Sequence, residues 1–340
     1  MARLFLAALG SVLVLGAAAA IAAGFLGPIH YNYDAFAHLR LQFSLVALGG
    51  ALLLAVARAL RSAALGAAVA ALGGLALGPA WGVPVPAPDE CVAARLSVAI
   101  ANVHDTNADF DPVVDAILAV DADIVATAES VPRFWSATAP LRARYPHRLT
   151  HFPEGGRSEA VLLWSKRPLR PLAITEQEPD APGFALATID LDGRAVAVAG
   201  LHASRPVLGP QRWQFEGVGR FMERAPAARI VMGDFNATLW SHGMALAQKN
   251  LGATAIPGFR VTWKGRYPNP ILRDDDEWKP PSLIGNQIDH VLISAHFAVE
   301  AIETFALPGS VHRGVKARLQ LLERADGGGA PGPCVSAQSR

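Results

Sequence analysis

The chain has 340 residues, 51% of them hydrophobic, and a formal charge of +1 from 30 basic and 29 acidic side chains. A balance so close to neutral exerts no global pull on nucleic acid or acidic lipid, and the length holds one large domain or two. Two cysteines, Cys91 and Cys334, exclude a disulfide-rich scaffold and a thiolate zinc site; they either close one very long loop in an oxidising compartment or stand as separate thiols.

Charge is unevenly spread, because the first 80 or so residues are mostly Ala, Leu, Gly and Val. Residues 4–26 form an uncharged run of about the 20 residues that cross a hydrocarbon layer. Apolar runs at 41–56 and 63–81, joined by a connection holding Arg58 and Arg61, read as a helical hairpin. Between the first two runs, residues 28–40 carry His30, Asp34 and His38 with Tyr31, Tyr33 and Phe36, a composition suited to a membrane interface, and read as a short external loop. Arg3, Arg58 and Arg61 mark the cytoplasmic side, so residues 1–82 are expected to make about three transmembrane helices. Everything after residue 82 then lies outside the cytoplasm of a multi-pass cell-membrane protein. A cleaved signal peptide over residues 1–23 is the rival reading, but it leaves 41–81 unexplained; two spans with reversed orientation is another. The spans hold no intramembrane charge, which argues against a transporter. Residues 83–94 read as a linker, stiffened by VPVPAP.

Residues 95–321 alternate short apolar runs with amphipathic segments. Strand composition occurs at 95–101, 123–128, 160–164, 184–191, 195–201, 229–232, 288–293 and 314–321. Asp111-Pro112 suits the start of a helix running to Val120, and further helices are expected over 210–224 and from near Trp240. Many strands with few helices predict two stacked sheets with helices outside. Residues 322–340 read as a disordered tail.

Chemically useful side chains recur just after the strand candidates, where a sheet presents them along one edge. In Gly233-Asp234-Phe235-Asn236 a buried strand ends, a glycine permits a turn, and a carboxylate and an amide project together. Asp234 can take a proton from water and Asn236 can donate to a phosphoryl oxygen, although an Asx-turn uses the same residues structurally. Asn102 and Glu129 follow two other strands, and Glu129 suits magnesium or manganese, which prefer oxygen ligands; a lone Glu there is also an ordinary rim residue. His202 closes AVAVAGL and can contact a phosphate, or be structural. Asp289 opens one strand and His312 precedes another, and a buried aspartate that orients a histidine stabilises an imidazolium suited to developing phosphoryl charge.

The ordered set Asn102, Glu129 in DADIVATAES, His202 in AGLHASRP, Asp234 and Asn236 in VMGDFN, Asp289 in IDHVLIS, and His312 resembles the motif series of the endonuclease/exonuclease/phosphatase family. The resemblance covers roughly residues 95–321. It implies an α/β fold, a four-layer sandwich of two mixed β-sheets flanked by helices, here preceded by an all-α transmembrane region. It also implies bound Mg²⁺ or Mn²⁺ and in-line attack of water on phosphorus. By the same resemblance, Glu129 and Asn102 hold the metal, Asp234 activates water, Asn102, Asn236 and His202 contact the phosphate, and Asp289 orients His312. The expected function is therefore a membrane-anchored, metal-dependent hydrolase of a phosphodiester or phosphomonoester, with a lipid or a nucleic acid as the substrate partner.

One departure stands out. The family's last motif usually reads Ser-Asp-His, whereas this chain has Ser310-Val311-His312, and valine neither binds a hard cation nor accepts a hydrogen bond. The alternative function is thus a catalytically inactive binding module of the same fold. Glu159 is a candidate to restore the missing charge. The run 274–277 (DDDE) reads as a solvated loop, and Trp263, Lys264, Arg266, Tyr267 and Trp278 as the packing of a long loop beside the site. A nuclease would need a basic track, for which Arg205, Arg212 and Arg220 are sparse.

Overall fold

The computed structural model of the chain describes residues 1–150, 160–175, 183–264 and 285–323. Its N-terminal part is helical: α1 (Ala2–Gly24), α2 (Tyr31–His38), α3 (Arg40–Val56) and α4 (Leu60–Leu75). The polarity of this bundle is inverted relative to a water-soluble one. Small residues line the contacts, so that a Cβ added at Gly10 would lie 2.8 Å from the Gly50 carbonyl and one at Gly66 2.8 Å from Val14. Large aliphatics such as Leu15, Leu52, Leu65 and Leu72 point outward, each more than 60% exposed. Among the described helices, α1 alone is by itself long and apolar enough to cross a membrane; α2 and α3 together pass the same test across a 61° bend.

Two expectations change here. Residues 28–40 are not a free loop, because Tyr31–His38 form α2, and Asp34, His38 and Arg40 are buried against the rest of the chain. The third apolar run stops being α-helical at Leu75 and continues as a 3-10 turn, Gly78–Trp81, where Gly78 takes a positive φ of 44°.

The remainder comprises β1 (Val92–Asn102), α5 (Asp111–Val120), β2 (Ile124–Ser130), α6 (Pro132–Ala137), α7 (Ala139–Arg144), β3 (His147–Leu149), β4 (Ala160–Ser165), β5 (Arg170–Thr175), β6 (Gly183–Leu191) and β7 (Arg194–His202). They are followed by α8 (Gln211–Met222), β8 (Arg229–Asp234), α9 (His242–Leu251), β9 (Thr254–Ala255), β10 (Asp289–Ile293), β11 (Phe297–Ala306) and β12 (Arg313–Leu322). Two six-stranded sheets result, ordered β11-β12-β1-β2-β4-β3 and β5-β6-β7-β8-β10-β9. Each is mixed: β1 and β2 run parallel in the first, β7 and β8 in the second, and the other pairs are antiparallel.

Strand periodicity sorts the core into layers. Val98 and Ile100 of β1 face inward, with Ile230 and Met232 of β8 in the same cluster between the sheets. Their neighbours Ala99 and Ala101 point the other way, into a cluster with Val113 and Ile117 of α5 and Leu141 of α7. On the second sheet, Leu201 and Val231 meet Phe215 and Val218 of α8 and Met244 of α9. Helix, sheet, sheet and helix make the four layers expected from the sequence. The sheets come close at Gly200, where an added Cβ would lie 2.6 Å from Val161 Cγ1.

The eight expected strands and three expected helices all occur, with one adjustment: Asp111 is the first helical residue of α5, and its N–H is held by Asp109 Oδ1 at 3.0 Å. In the stretch read from sequence as a linker, Ala87 N donates to Gln320 Oε1 of β12 at 2.8 Å, and the stretch passes into β1 at Val92, earlier than the expected 95. Cys91 is buried; Cys334, Glu159, Arg266, Tyr267, Trp278, residues 274–277 and the tail beyond 323 lie outside the described residues.

Candidate active site at the seam of the two sheets

Strand direction delivers the polar side chains to one edge. Parallel β1 and β2 end side by side, with Asn102 in register with Ala128 and Glu129 next along. Because β12 is antiparallel to β1, the residues that lead into it, His312 among them, return to that same edge. In the second sheet His202 ends β7 in register with Asp234, which ends parallel β8, and antiparallel β10 sets Asp289 opposite Asp234.

Local backbone conformation then aims the groups. Glu129 sits where the β2–β4 register shifts between Thr127 and Ser130, a bulge, and it takes a φ of 54°. Asn236 and His104 also adopt left-handed conformations, at 47° and 61°. Non-glycine residues rarely do so, and such strain concentrates where side-chain direction matters more than backbone comfort. Gly233 is required for a different reason: any Cβ there would run into the Leu201 carbonyl of the neighbouring strand.

The two sheets' contributions meet across the seam. A carboxylate oxygen of Glu129, one of Asp234 and a ring nitrogen of His312 all lie within 4.8 Å of one another. Asn102 Nδ2 donates to Glu129 Oε1 and to Asp234 Oδ2, both at 3.0 Å. Asn236 N donates to Asp234 Oδ1 at 2.8 Å, and Asn236 Nδ2 to the Ala203 carbonyl at 2.8 Å. His202 Nε2 lies 3.8 Å from Glu129 Oε1 and 3.9 Å from Asp234 Oδ2. His312 Nε2 stands 3.9 Å from Asp234 Oδ2, while its Nδ1 is 2.9 Å from Asp289 Oδ2. Among the described residues, the other Asp289 oxygen and His202 Nδ1 have no hydrogen-bond partner.

The charges shift accordingly. Burial alone would raise the Glu129 carboxyl, but His104, His202, the Asn102 amide and the Asp105 N–H together hold it well below the usual carboxylate range. Burial pushes Asp234 up to about 6, and the charge of Asp289 pushes the same way against His312, His202 and the Asn236 N–H. Burial would lower His312, yet Asp289, by charge and hydrogen bond, together with Asp234 and Glu129, raises it to about 9. Near neutral pH the site therefore holds an ionised Glu129, an Asp234 poised to exchange a proton, and a charged imidazole at His312.

All seven residues singled out in the sequence converge on this edge. Asn102 Oδ1 accepts from His104 N at 3.0 Å while its Nδ2 faces the two carboxylates and orients them. Sequence reasoning missed His104 and Thr262. His104 Nδ1 lies 3.3 Å from Glu129 Oε2, and Thr262 Oγ1 accepts the N–H groups of Ile288 and Asp289 at 3.0 and 3.1 Å. His104 was within reach as the second residue beyond Asn102; Thr262, in a loop of ordinary composition, carried no signal.

The donor set fits a hard divalent cation: the Glu129 and Asp234 carboxylates, from two chain segments, bring oxygens close enough to share one ion, with charged His312 beside them as a hydrogen-bond donor to a ligand oxygen. Half-buried Val311 adds no donor beside His312. A separate cavity of about 370 Å³, lined by Gly27, Tyr31, Asp34, Gln211, Trp213 and His242 among others, contains none of the seven site residues.

No curated protein matches the chain in sequence. Among solved structures, the endonuclease/exonuclease/phosphatase from Bacteroides vulgatus superposes with a TM-score of 0.50 at 18% identity, covering 67% of this chain and 99% of that one. D. rerio TDP2 complexed with single strand DNA product gives 0.51 at 15% identity, covering 66% and 99%. Sphingomyelinase C from Streptomyces griseocarneus gives 0.45 at 17%, covering 66% and 99%. At such identities the first two share a fold with this chain. The sequence profile of the Endonuclease/Exonuclease/phosphatase family matches residues 97–322, well over half of the chain and the whole of the sandwich from β1 to β12 apart from the first few residues of β1. Members of that family are generally divalent-metal-dependent phosphoester hydrolases, and this chain belongs to the Endonuclease/Exonuclease/phosphatase family.

Proposed function

We propose that the chain is a membrane-anchored, metal-dependent hydrolase of a phosphodiester or phosphomonoester. The observation that carries this reading is the convergence of Glu129, Asp234 and His312 within 4.8 Å, from two sheets and three separate chain segments. Glu129, with the neighbouring Asp234 oxygen, would hold Mg²⁺ or Mn²⁺. When bound, the ion neutralises charge on a phosphoryl oxygen.

The protein's own groups have distinct tasks. Asp234, raised toward neutrality by burial and Asp289, accepts a proton from the attacking water. His312, kept charged by Asp289 at 2.9 Å, offers its Nε2–H to the phosphoryl oxygen or the departing one. Asn102 holds the two carboxylates apart and in place, and Asn236, tied to Ala203 O, fixes the turn that aims Asp234. His202 stands beside both carboxylates, where it can meet a phosphate oxygen.

The domain reading is residues 1–82 as membrane region, 83–94 as linker and 95–321 as catalytic domain. Outward-facing aliphatics and inward-facing glycines of α1 and α3 support a membrane bundle, to which the three-crossing reading adds the shorter apolar α4, and Arg3, Arg58 and Arg61 are consistent with an extracytoplasmic catalytic domain. An anchored site favours a lipid or another membrane-proximal ester over chromosomal DNA. Val311 favours a second reading, a silent binding module. The test is the full chain in detergent with Mn²⁺ or Mg²⁺ and bis(p-nitrophenyl) phosphate. Turnover that is lost in Asp234→Ala supports the enzyme; no turnover with either metal, and none in Val311→Asp, supports the module.

A further inference from the structure

The segment that leaves β8 carries Asn236 and runs to the start of α9, and it is gripped from two sides. On one side buried Gln211 of α8 donates from Nε2 to three carbonyls, Ser204 O at 2.8 Å, Phe235 O at 3.0 Å and Asn236 O at 3.1 Å. On the other side lies α2, some 200 residues earlier in the chain. Asp34 Oδ1 accepts from His242 N and Oδ2 from Gly243 N, both at 2.8 Å. Thr238 N donates to His38 Nδ1 at 3.2 Å, and Trp240 Nε1 to the Ala37 carbonyl at 2.6 Å. Arg40, at the start of α3, donates to Trp240 O at 3.3 Å and to Ala76 O at 2.9 Å, tying the same segment to the end of α4.

These contacts are buried. Asp34 and Arg40 are each 4% exposed, Thr238 0% and Trp240 8%. A charged hydrogen bond donated by the free amides of a helix start to a buried carboxylate is among the stronger single contacts a protein makes, and removing one partner strands the other away from water. The two grips meet at Gly243: a Cβ there would lie 2.7 Å from Gln211 Oε1 and 3.3 Å from Asp34 Oδ2. Asn236 itself sits at a left-handed φ of 47°, a conformation that Asn adopts more readily than other non-glycine residues, so the direction of the turn is built into the segment that the two grips hold.

We propose that α2 is a clamp on the catalytic segment and that Asp34 is a positioning residue, acting through the start of α9 to hold Asn236 and, through the Asn236 N–H, Asp234. The anchoring region is then part of the working site and not a tether. The inference rests on the phosphoesterase reading for its kinetic arm alone. The experiment compares full-length wild type, Asp34→Ala and Asp34→Asn in detergent. It measures amide hydrogen exchange by peptide together with kcat and KM for bis(p-nitrophenyl) phosphate in Mn²⁺.

Asp34→Ala is expected to speed exchange over residues 236–243 at least 10-fold with β1 and β2 unchanged, and to lower kcat about 10-fold with KM within twofold. Asp34→Asn, which keeps one oxygen for one amide, is expected to recover part of both. Exchange unchanged in that segment, exchange raised equally in β1 and β2, or a loosened segment with full kcat would each overturn the proposal. If Asp34→Ala does not fold, Gly243→Ala, which pushes both grips apart, is expected to act in the same direction, and normal kcat there overturns it equally. A wild type without turnover removes the phosphoesterase reading by itself and leaves the exchange pattern to decide the clamp.

Discussion

Asp289 Oδ2 and His312 Nδ1 stand 2.9 Å apart although one residue opens a strand of the second sheet and the other leads into a strand of the first. The pair therefore reports on sheet alignment and imidazole charge together. Asp289→Asn keeps the shape and removes the charge, so kcat should fall about 100-fold or more, in the range that correctly placed acid–base groups supply. The alkaline limb of the pH–rate profile should move to lower pH at the same time. A variant with wild-type kcat and profile would separate His312 from the chemistry.

Glu129 is held ionised well below the usual carboxylate range, the condition under which it competes best for a cation. Glu129→Gln should weaken Mn²⁺ binding by about 10–100-fold by isothermal titration, with activity partly recovered by excess metal. Chelation of the wild type should abolish turnover, and re-addition of Mn²⁺ should restore it.

Val311→Asp adds a carboxylate next to His312, where relatives usually carry one. Metal affinity or kcat should rise about 10–100-fold if that carboxylate is the missing support. A fall in both would mean that this site has settled into a donor set built without it.

His290, next to Asp289 and 2% exposed, is a neutral imidazole in the fold: its Nε2 is 2.8 Å from the Ala237 carbonyl. Burial lowers it from 6.5 to about 4, against the pull of Ala237 and Asp289. Its contribution to stability is thus complete above pH 6.5 and is lost as pH falls toward 4, at most about 3 kcal/mol for a shift of that size. Melting temperature followed between pH 7 and 4 should show this slope, and His290→Asn, which does not titrate, should flatten it. An unchanged slope would assign the acid sensitivity to other groups.

Much of this arrangement was legible in the sequence for a simple reason: strands buried on both faces read as unbroken apolar runs, and polar residues at their ends mark the sheet edge. The strands ending at Asn102, His202 and Asp234 are of this kind. β11 escaped because FAVEAIETFA has the Ala and Glu content of a helix; pairing along β12 at the sheet edge overrides that preference. The docking of α2 escaped because Asp34, His38 and Arg40 have partners about 200 residues away, and nothing in a local window distinguishes a buried, bonded Asp from one in a solvated loop. Thr262 escaped for the same kind of reason, since its role exists only once Asp289 has been brought beside it, whereas His104, two residues beyond Asn102, lay within a local window.

The candidate catalytic groups are divided between two sheets and meet across the seam through side-chain contacts. Glu129 and His312 ride on one slab, Asp234 and Asp289 on the other. Sliding one slab by a single residue step, about 3.3 Å, would break the hydrogen bonds from Asn102 to Asp234 and between His312 and Asp289 that now bridge them. Alignment tolerance is thus set in the apolar filling, at places such as Gly200 where the slabs almost touch. A methyl group inserted there would act on turnover by misregistration, from a position with no polar atom near the substrate.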